Sequence, residues 1–204
     1  VGGGADRPGG VTPMTILYLH GFNSAPQSRK AQVLKRYLEE RGLGGRFACP
    51  KLPHRPAEAI ALAEREIALR PTGTVTLLGS SLGGFYATHL AEKHGLRAVL
   101  VNPAVTPQLD LESYLGTQRN LYTGEAYELT REHIAEWRAL DVPVTRPERY
   151  LLIVETGDEV LDYRAAVRKY AGARQIVVEG GDHTLQSFAE HLPVILQFAG
   201  LAPL

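Results

Sequence analysis

From Met14 onward the chain alternates short apolar runs with amphipathic stretches, and this rhythm narrows the possible folds more than any other feature. Thr15–Leu19, Thr74–Leu78, Ala98–Val101, Tyr150–Glu155 and Gln175–Val178 are four to six residues long, and most are apolar throughout. Runs of that length read as strands covered on both faces. Ser28–Arg41 places Ala31, Leu34 and Leu38 on one side and is followed by Gly42, a helix with a glycine stop. Pro56–Leu69, Gly83–His94, Tyr163–Tyr170 and Leu185–Phe198 also read as helices, and Phe47–Cys49 before Pro50 as a short strand. Strands that alternate with helices form βαβ units, hence a parallel sheet with helices on both faces. The expected fold class is α/β, a compact, mostly parallel sheet of about six strands.

The rhythm breaks once. Between Val101 and Arg149 the connection is far longer than one crossover helix requires, and it carries Tyr114, Tyr122, Tyr127, Trp137 and one clear helix at Arg131–Leu140. Residues 103–149 are expected to form a small cap-like insertion, with the aromatic residues either over a pocket or packed on the sheet edge. Residues 14–204 are expected to form a single domain, preceded by a glycine-rich extension over 1–13 that lies outside the fold.

Lys and Arg together number 22, as do Asp and Glu, so no basic excess exists to neutralise phosphates and nucleic acid is not expected as a partner. No apolar run is long enough to span a bilayer, and the first residues lack the apolar segment of a secretory signal. With Cys49 as the only cysteine, no intrachain disulfide can form, and a cytoplasmic location is the expectation. No cofactor or metal is expected: H-x-x-x-H, cysteine pairs, G-x-G-x-x-G and Walker-type loops are all missing.

The chemistry centres on Gly79-Ser80-Ser81-Leu82-Gly83-Gly84, which follows one apolar run and opens a helix. This is G-x-S-x-G in a strand–turn–helix context, the nucleophile elbow of the α/β-hydrolase fold. A serine at the apex of so tight a turn needs neighbours without bulk, and the helix behind it offers free N–H groups to a developing oxyanion. Ser81 is the expected nucleophile, and Ser80 occupies the position before the apex.

A serine nucleophile needs a base that a carboxylate orients, in the chain order Ser, acid, His. His183 lies in Gly180-Gly181-Asp182-His183-Thr184, a loop after the last strand, where catalytic groups of parallel sheets gather. His89 and His94 sit on the helix directly after the nucleophile, while His133 and His191 fall in helical patterns as surface or packing residues. The favoured acid is Asp158, in the turn after Tyr150–Val154; Glu159 and Asp162 are alternatives, and Asp162 serves equally well as a helix N-cap. Asp182 is too close to His183 to orient its ring and is expected to stabilise its own turn. Two backbone N–H groups complete an oxyanion hole, those of Leu82 and, from the loop after the first strand, Phe22. His20 reads as a structural hydrogen-bonding residue, and His54-Arg55 reads first as an exposed loop pair and second as a pocket border.

With these residues in place, the chain resembles the YqiA-like family of small bacterial esterases over Thr15 to about Leu201. The likeness is carried by Tyr18-Leu19-His20-Gly21-Phe22-Asn23-Ser24, Gly79–Gly84, Val101-Asn102-Pro103-Ala104-Val105, Thr156–Tyr163 and Gly180-Gly181-Asp182-His183. It implies a cytoplasmic serine esterase acting on small-molecule substrates, simple acyl esters and with them acyl-CoA thioesters, with Ser81, Asp158 and His183 as the triad. The sequence departs from that family at His54-Arg55, where an apolar or aromatic loop is usual, so no acyl-chain preference carries over. Two rivals share the same residues: an acyl-CoA thioesterase with the same triad, and a non-catalytic binding protein that kept the fold.

Overall fold

The computed structural model describes residues 14–201, and the expected extension over 1–13 lies outside the described residues. In chain order the elements are β1 (Thr15–Leu19), α1 (Arg29–Glu39), β2 (Phe47–Ala48), α2 (Pro56–Ala68), β3 (Val75–Ser80), α3 (Leu82–His94) and β4 (Arg97–Val101). Then come α4 (Pro107–Asp110), β5 (Gly116–Arg119), β6 (Ala126–Leu129), α5 (Arg131–Leu140), β7 (Tyr150–Glu155), α6 (Tyr163–Lys169), β8 (Arg174–Val178) and α7 (Leu192–Phe198). Six strands form one sheet in the order β2-β1-β3-β4-β7-β8, and every pairing within it is parallel.

Alternation along each strand divides the core between the two faces. Leu17, Leu19, Leu77, Leu100, Leu152 and Val154 point to one side, where Ala59 and Ile60 of α2, Phe85 and Leu90 of α3, and Trp137 of α5 cover them. Ile16, Tyr18, Leu78, Val99, Val101 and Ile153 point to the other, under Leu34 and Leu38 of α1 and Ile195 and Leu196 of α7. After β1 the chain moves to one side of that strand and then returns to its other side for β3. The sheet therefore has a topological switch point between β1 and β3, where the loops leaving the two strands diverge and open a crevice.

The structure differs from the sequence reading in three places. β3 continues through Gly79 and Ser80, because both pair with β4 and Gly79 also pairs with β1. The last helix does not begin at Leu185: Gln186–His191 is a 3₁₀ segment and only Leu192–Phe198 is α-helical, with Pro193 in its first turn. The long connection contains an antiparallel hairpin, β5–β6, that the sequence reading did not foresee. β5 is polar, and four-residue β6 alternates only Tyr127 and Leu129 on its inner face, so neither carries the continuous apolar run that marked the sheet.

One close approach ties α3 to β1. A Cβ on Gly83 would lie 1.9 Å from the Leu19 carbonyl oxygen and 2.8 Å from that of His20. Alanine is favoured over glycine inside a helix by about 1 kcal/mol, but no helix preference compensates for a clash with fixed backbone. Gly83→Ala is therefore expected to destabilise the fold by about 1–3 kcal/mol, read as a lower urea midpoint at unchanged m-value. A midpoint equal to or above that of the parent protein would contradict this packing.

Candidate active site

Ser81 sits where β3 turns into α3, at φ 55° and ψ −122°, a conformation few side chains adopt. Three backbone bonds hold it there: Ser81 N–H to the Val101 carbonyl at 3.0 Å, and Gly84 N–H and Ala104 N–H to the Ser81 carbonyl at 2.9 and 3.0 Å. The flanking glycines have distinct steric reasons. A Cβ on Gly79 would meet the Gly83 carbonyl oxygen at 2.2 Å, so the turn closes only on bare backbone. Gly84 faces Pro103, at 2.6 Å from its Cβ, so its bulk is forbidden by the loop after β4.

The Ser81 hydroxyl makes no N-cap bond to its own helix. It lies 3.0 Å from His183 Nε2, and His183 Nδ1 lies 3.0 and 2.8 Å from Asp158 Oδ1 and Oδ2. The structure thus brings the three sequence-derived residues into one hydrogen-bonded line, with Nδ1–H donating to the carboxylate and Nε2 left to accept from the serine. Burial pushes the Asp158 pKa up, but hydrogen bonds from His183 and from the Leu161 and Val160 N–H groups outweigh it, and the net shift is downward. Of the alternative acids, Glu159 accepts from the backbone N–H of His183 at 3.0 Å, and Asp162 caps α6 through Arg164 N–H at 3.0 Å. Asp182 accepts from the N–H and hydroxyl of Thr184, within its own turn.

Two residues that sequence reasoning gave no role hold the His183 loop. Glu155, at the end of β7 and 1% exposed, accepts from the N–H groups of Asp182, Gln186 and Ser187 at 2.8, 3.1 and 3.0 Å, and from the Ser187 hydroxyl at 2.6 Å. Burial raises its pKa, yet the Ser187 hydroxyl and these N–H groups together bring it below the usual carboxylate value. Asn102, buried at φ 39°, donates from Nδ2 to the Asp182 and His183 carbonyls at 3.0 and 3.2 Å and accepts the Glu155 N–H at 3.0 Å. A polar residue closing an apolar strand was the available signal in both cases: Asn102 directly after β4, Glu155 as the last residue of β7.

Leu82 is the first residue of α3, where a backbone N–H has no intrahelical acceptor, and Phe22 N–H donates to no group among the described residues. Gly21 brings the Phe22 loop against the elbow: a Cβ on it would be 3.2 Å from Ser81 Cβ. His20 is buried, and its Nε2 accepts the Leu52 N–H at 3.0 Å, the structural role expected of it. A cavity of about 340 Å³ opens from this loop, bordered by Gly21, Phe22, Leu82 and Tyr86 and, farther out, by Lys51, His54, Glu58, Glu125 and Tyr127.

The pair His54-Arg55 is not merely an exposed loop. His54 borders the cavity and stacks on Tyr127, with ring centroids 4.3 Å apart and planes 15° from parallel, while Arg55 is ion-paired to Glu136 of α5. The four aromatic residues of the insertion divide their roles. Tyr127 lines the cavity, Trp137 is wholly buried with Nε1 donating to the Tyr86 hydroxyl at 2.9 Å, and Tyr114 and Tyr122 are half-exposed. His133 is buried as the third residue of α5 and closes a capping box with Thr130. His89 contacts the Leu140 carbonyl, His94 pairs with Glu64, and His191 pairs with Ser187, all away from Ser81. Among the described residues no group of three or more His, Cys, Asp or Glu could hold a metal ion, and no helix is long and apolar enough to cross a membrane.

A parallel sheet with a serine elbow at its switch point defines the α/β-hydrolase fold, and solved structures share it. Alpha/beta hydrolase domain-containing protein 10 from mouse aligns at TM-score 0.69 and 16% identity, covering 90% of this chain and 88% of that one. The esterase domain of a Rhodothermus marinus protein aligns at TM-score 0.63 and 16% identity, covering 95% and 90%. The chain belongs to the family described as Uncharacterised protein family (UPF0227), which matches residues 15–200. This is the YqiA-like family that the sequence motifs resemble. Relatives include UPF0227 proteins of Serratia proteamaculans, 25% identical over 190 residues, and of Shewanella sediminis, 22% identical over 185 residues. These alignments cover 91% and 90% of this chain, and 99% and 98% of the two relatives.

The Glu155 carboxylate generates a pH prediction. Because its folded pKa is depressed, its stabilisation is complete above the unfolded glutamate value, about 4.3, and is lost as pH falls through the lower folded value. Asp158, also depressed, adds to the same limb. Glu155→Gln, which turns an N–H donor toward other donors, is expected to cost about 1–3 kcal/mol at neutral pH. It should also flatten the fall in urea midpoint below pH 5. An unchanged acid limb in the variant would show that Glu155 does not supply it.

Proposed function

We propose that this protein is a serine ester hydrolase working through an acyl-enzyme, with Ser81 as nucleophile, His183 as base and Asp158 as the carboxylate that orients it. The observation that carries the reading is the line Asp158–His183–Ser81, with hydrogen bonds of 2.8 and 3.0 Å at the strand ends of an α/β-hydrolase fold. Ser81 attacks the ester carbonyl as its proton passes to His183 Nε2. The N–H groups of Phe22 and Leu82 receive the oxyanion, the alcohol leaves with the proton from His183, and water releases the acid by the reverse sequence. The segment 103–149 acts as a small cap that walls the substrate cavity, and the fold over 14–204 works as a single domain. An acidic Asp158, kept ionised by its hydrogen bonds, holds the imidazole tautomer and stabilises the imidazolium that forms.

The esterase domain of Rhodothermus marinus shares the fold and lends support by analogy only. Fluorophosphonate labelling tests the nucleophile: the parent protein should be labelled and Ser81→Ala should not. Asp158→Asn should keep the fold and lower kcat on a short aryl ester by roughly 10³–10⁴-fold. Labelling that survives Ser81→Ala, or an Asp158→Asn variant of parental activity, would contradict the assignment.

A further inference from the structure

On the wall of the cavity that opens from the Phe22 loop, His54 is held from behind by a second histidine, His133, and the catalytic reading leaves both unused. The Thr130 backbone N–H donates to His133 Nδ1 at 3.1 Å, so that nitrogen carries no proton. His133 is buried, and burial, with His54 and Arg55 nearby, lowers its pKa, so the ring is neutral with its one proton on Nε2. His133 Nε2 lies 3.0 Å from His54 Nδ1, and must donate to it. His54 Nδ1 is then an acceptor, and its own proton is on Nε2. That second nitrogen has no hydrogen-bond partner among the described residues. The ring plane is fixed as well. Tyr127 stacks on His54 and donates its hydroxyl to Asn23 Oδ1 at 2.8 Å, while Asn23 Nδ2 donates to Gln118 Oε1 at 3.1 Å.

Most other polar groups on the wall are already engaged. Lys51 pairs with Glu125 at 2.6 Å, and Asn120 bonds the Ser24 carbonyl and the N–H groups of Tyr122 and Thr123. Among the described residues Glu58 has neither a hydrogen bond nor an ion pair, so its carboxylate remains an acceptor at the cavity border. Beyond the Phe22 and Leu82 N–H groups assigned to the oxyanion, the open side-chain groups are the His54 Nε2–H donor and the Glu58 carboxylate acceptor, beside the Ser24 hydroxyl, which has no partner among the described residues. A hydroxyl satisfies either kind, accepting from His54 or donating to Glu58. An alkyl chain satisfies neither. A negatively charged group would face two carboxylates, Glu58 and Glu125, against the single, already paired Lys51.

We infer that His54, its tautomer set by His133, is a specificity-determining hydrogen-bond donor that selects esters whose group in this cavity is compact, uncharged and hydroxylated. The inference rests on the ester-hydrolase reading for its kinetics, but not for its tautomer. Two matched pairs cover both sides of the ester: propyl acetate against glyceryl monoacetate, and nitrophenyl butyrate against nitrophenyl 3-hydroxybutyrate. In at least one pair the hydroxylated member should have the higher kcat/KM, by about tenfold, with the difference in KM. His54→Phe should erase that ratio, and His54→Gln, which keeps an N–H donor, should restore part of it.

Imidazole ¹⁵N shifts of the parent protein give a readout that needs no turnover: His54 should be protonated at Nε2 and bare at Nδ1. Preference for the alkyl member in both pairs, a ratio unmoved by His54→Phe, or His54 protonated at Nδ1 would each overturn the inference. A parent protein that fails to label at Ser81 yet shows the Nε2–H tautomer would instead count against the ester-hydrolase reading alone.

Discussion

The contact on which the site depends is backbone against backbone, where Gly83 in the first turn of α3 meets the carbonyls of Leu19 and His20 at the end of β1. There is no room there for a single methyl group. That approach fixes the height of Ser81 over the sheet and, through Gly21, brings the Phe22 loop to the side of the serine. The positive φ of Ser81 follows from the same constraint, since the chain must leave β3 and enter a helix within one residue. Such strain costs on the order of 1–3 kcal/mol and persists because Val101, Gly84 and Ala104 bond the residue on both sides.

A second, polar framework carries the other half of the site. The His183 loop has two glycines at positive φ, Gly180 and Gly181, and little apolar contact of its own to hold it. Glu155 and Asn102 supply what the loop lacks, anchoring it to the ends of β7 and β4 through charge-assisted and amide hydrogen bonds. The loop can follow this path only because Gly181 has no side chain: a Cβ there would lie 2.0 Å from Glu155 Oε2. Two frameworks of different chemistry thus meet at one 3.0 Å hydrogen bond between Ser81 and His183.

The sheet was legible because buried parallel strands declare themselves as apolar runs, and Tyr150–Glu155 begins and ends where the sequence indicates. Ser81, Asp158 and His183 were legible because tight turns and strand-end loops restrict which residues can stand there. The β5–β6 hairpin was not, since β5 is polar and the alternation of Tyr127 and Leu129 in four-residue β6 is too short to read as a strand. Glu155 and Asn102 were hidden for another reason. Their partners are backbone groups some 30 to 80 positions away, and a single sequence does not record that separation. His54 is exposed in its loop as the sequence indicates, but its place on the cavity wall was not legible, because what engages it, Tyr127 and His133, belongs to the insertion that folds back over it.

The central claim is that Ser81 becomes covalently acylated during turnover. The direct measurement is rapid acid quench of the protein during hydrolysis of a short aryl ester, followed by mass spectrometry of its peptides. The account predicts a transient acyl adduct on Ser81, formed in a burst matched by released alcohol and absent from Ser81→Ala. Turnover with no adduct, or an adduct on another residue, would contradict it.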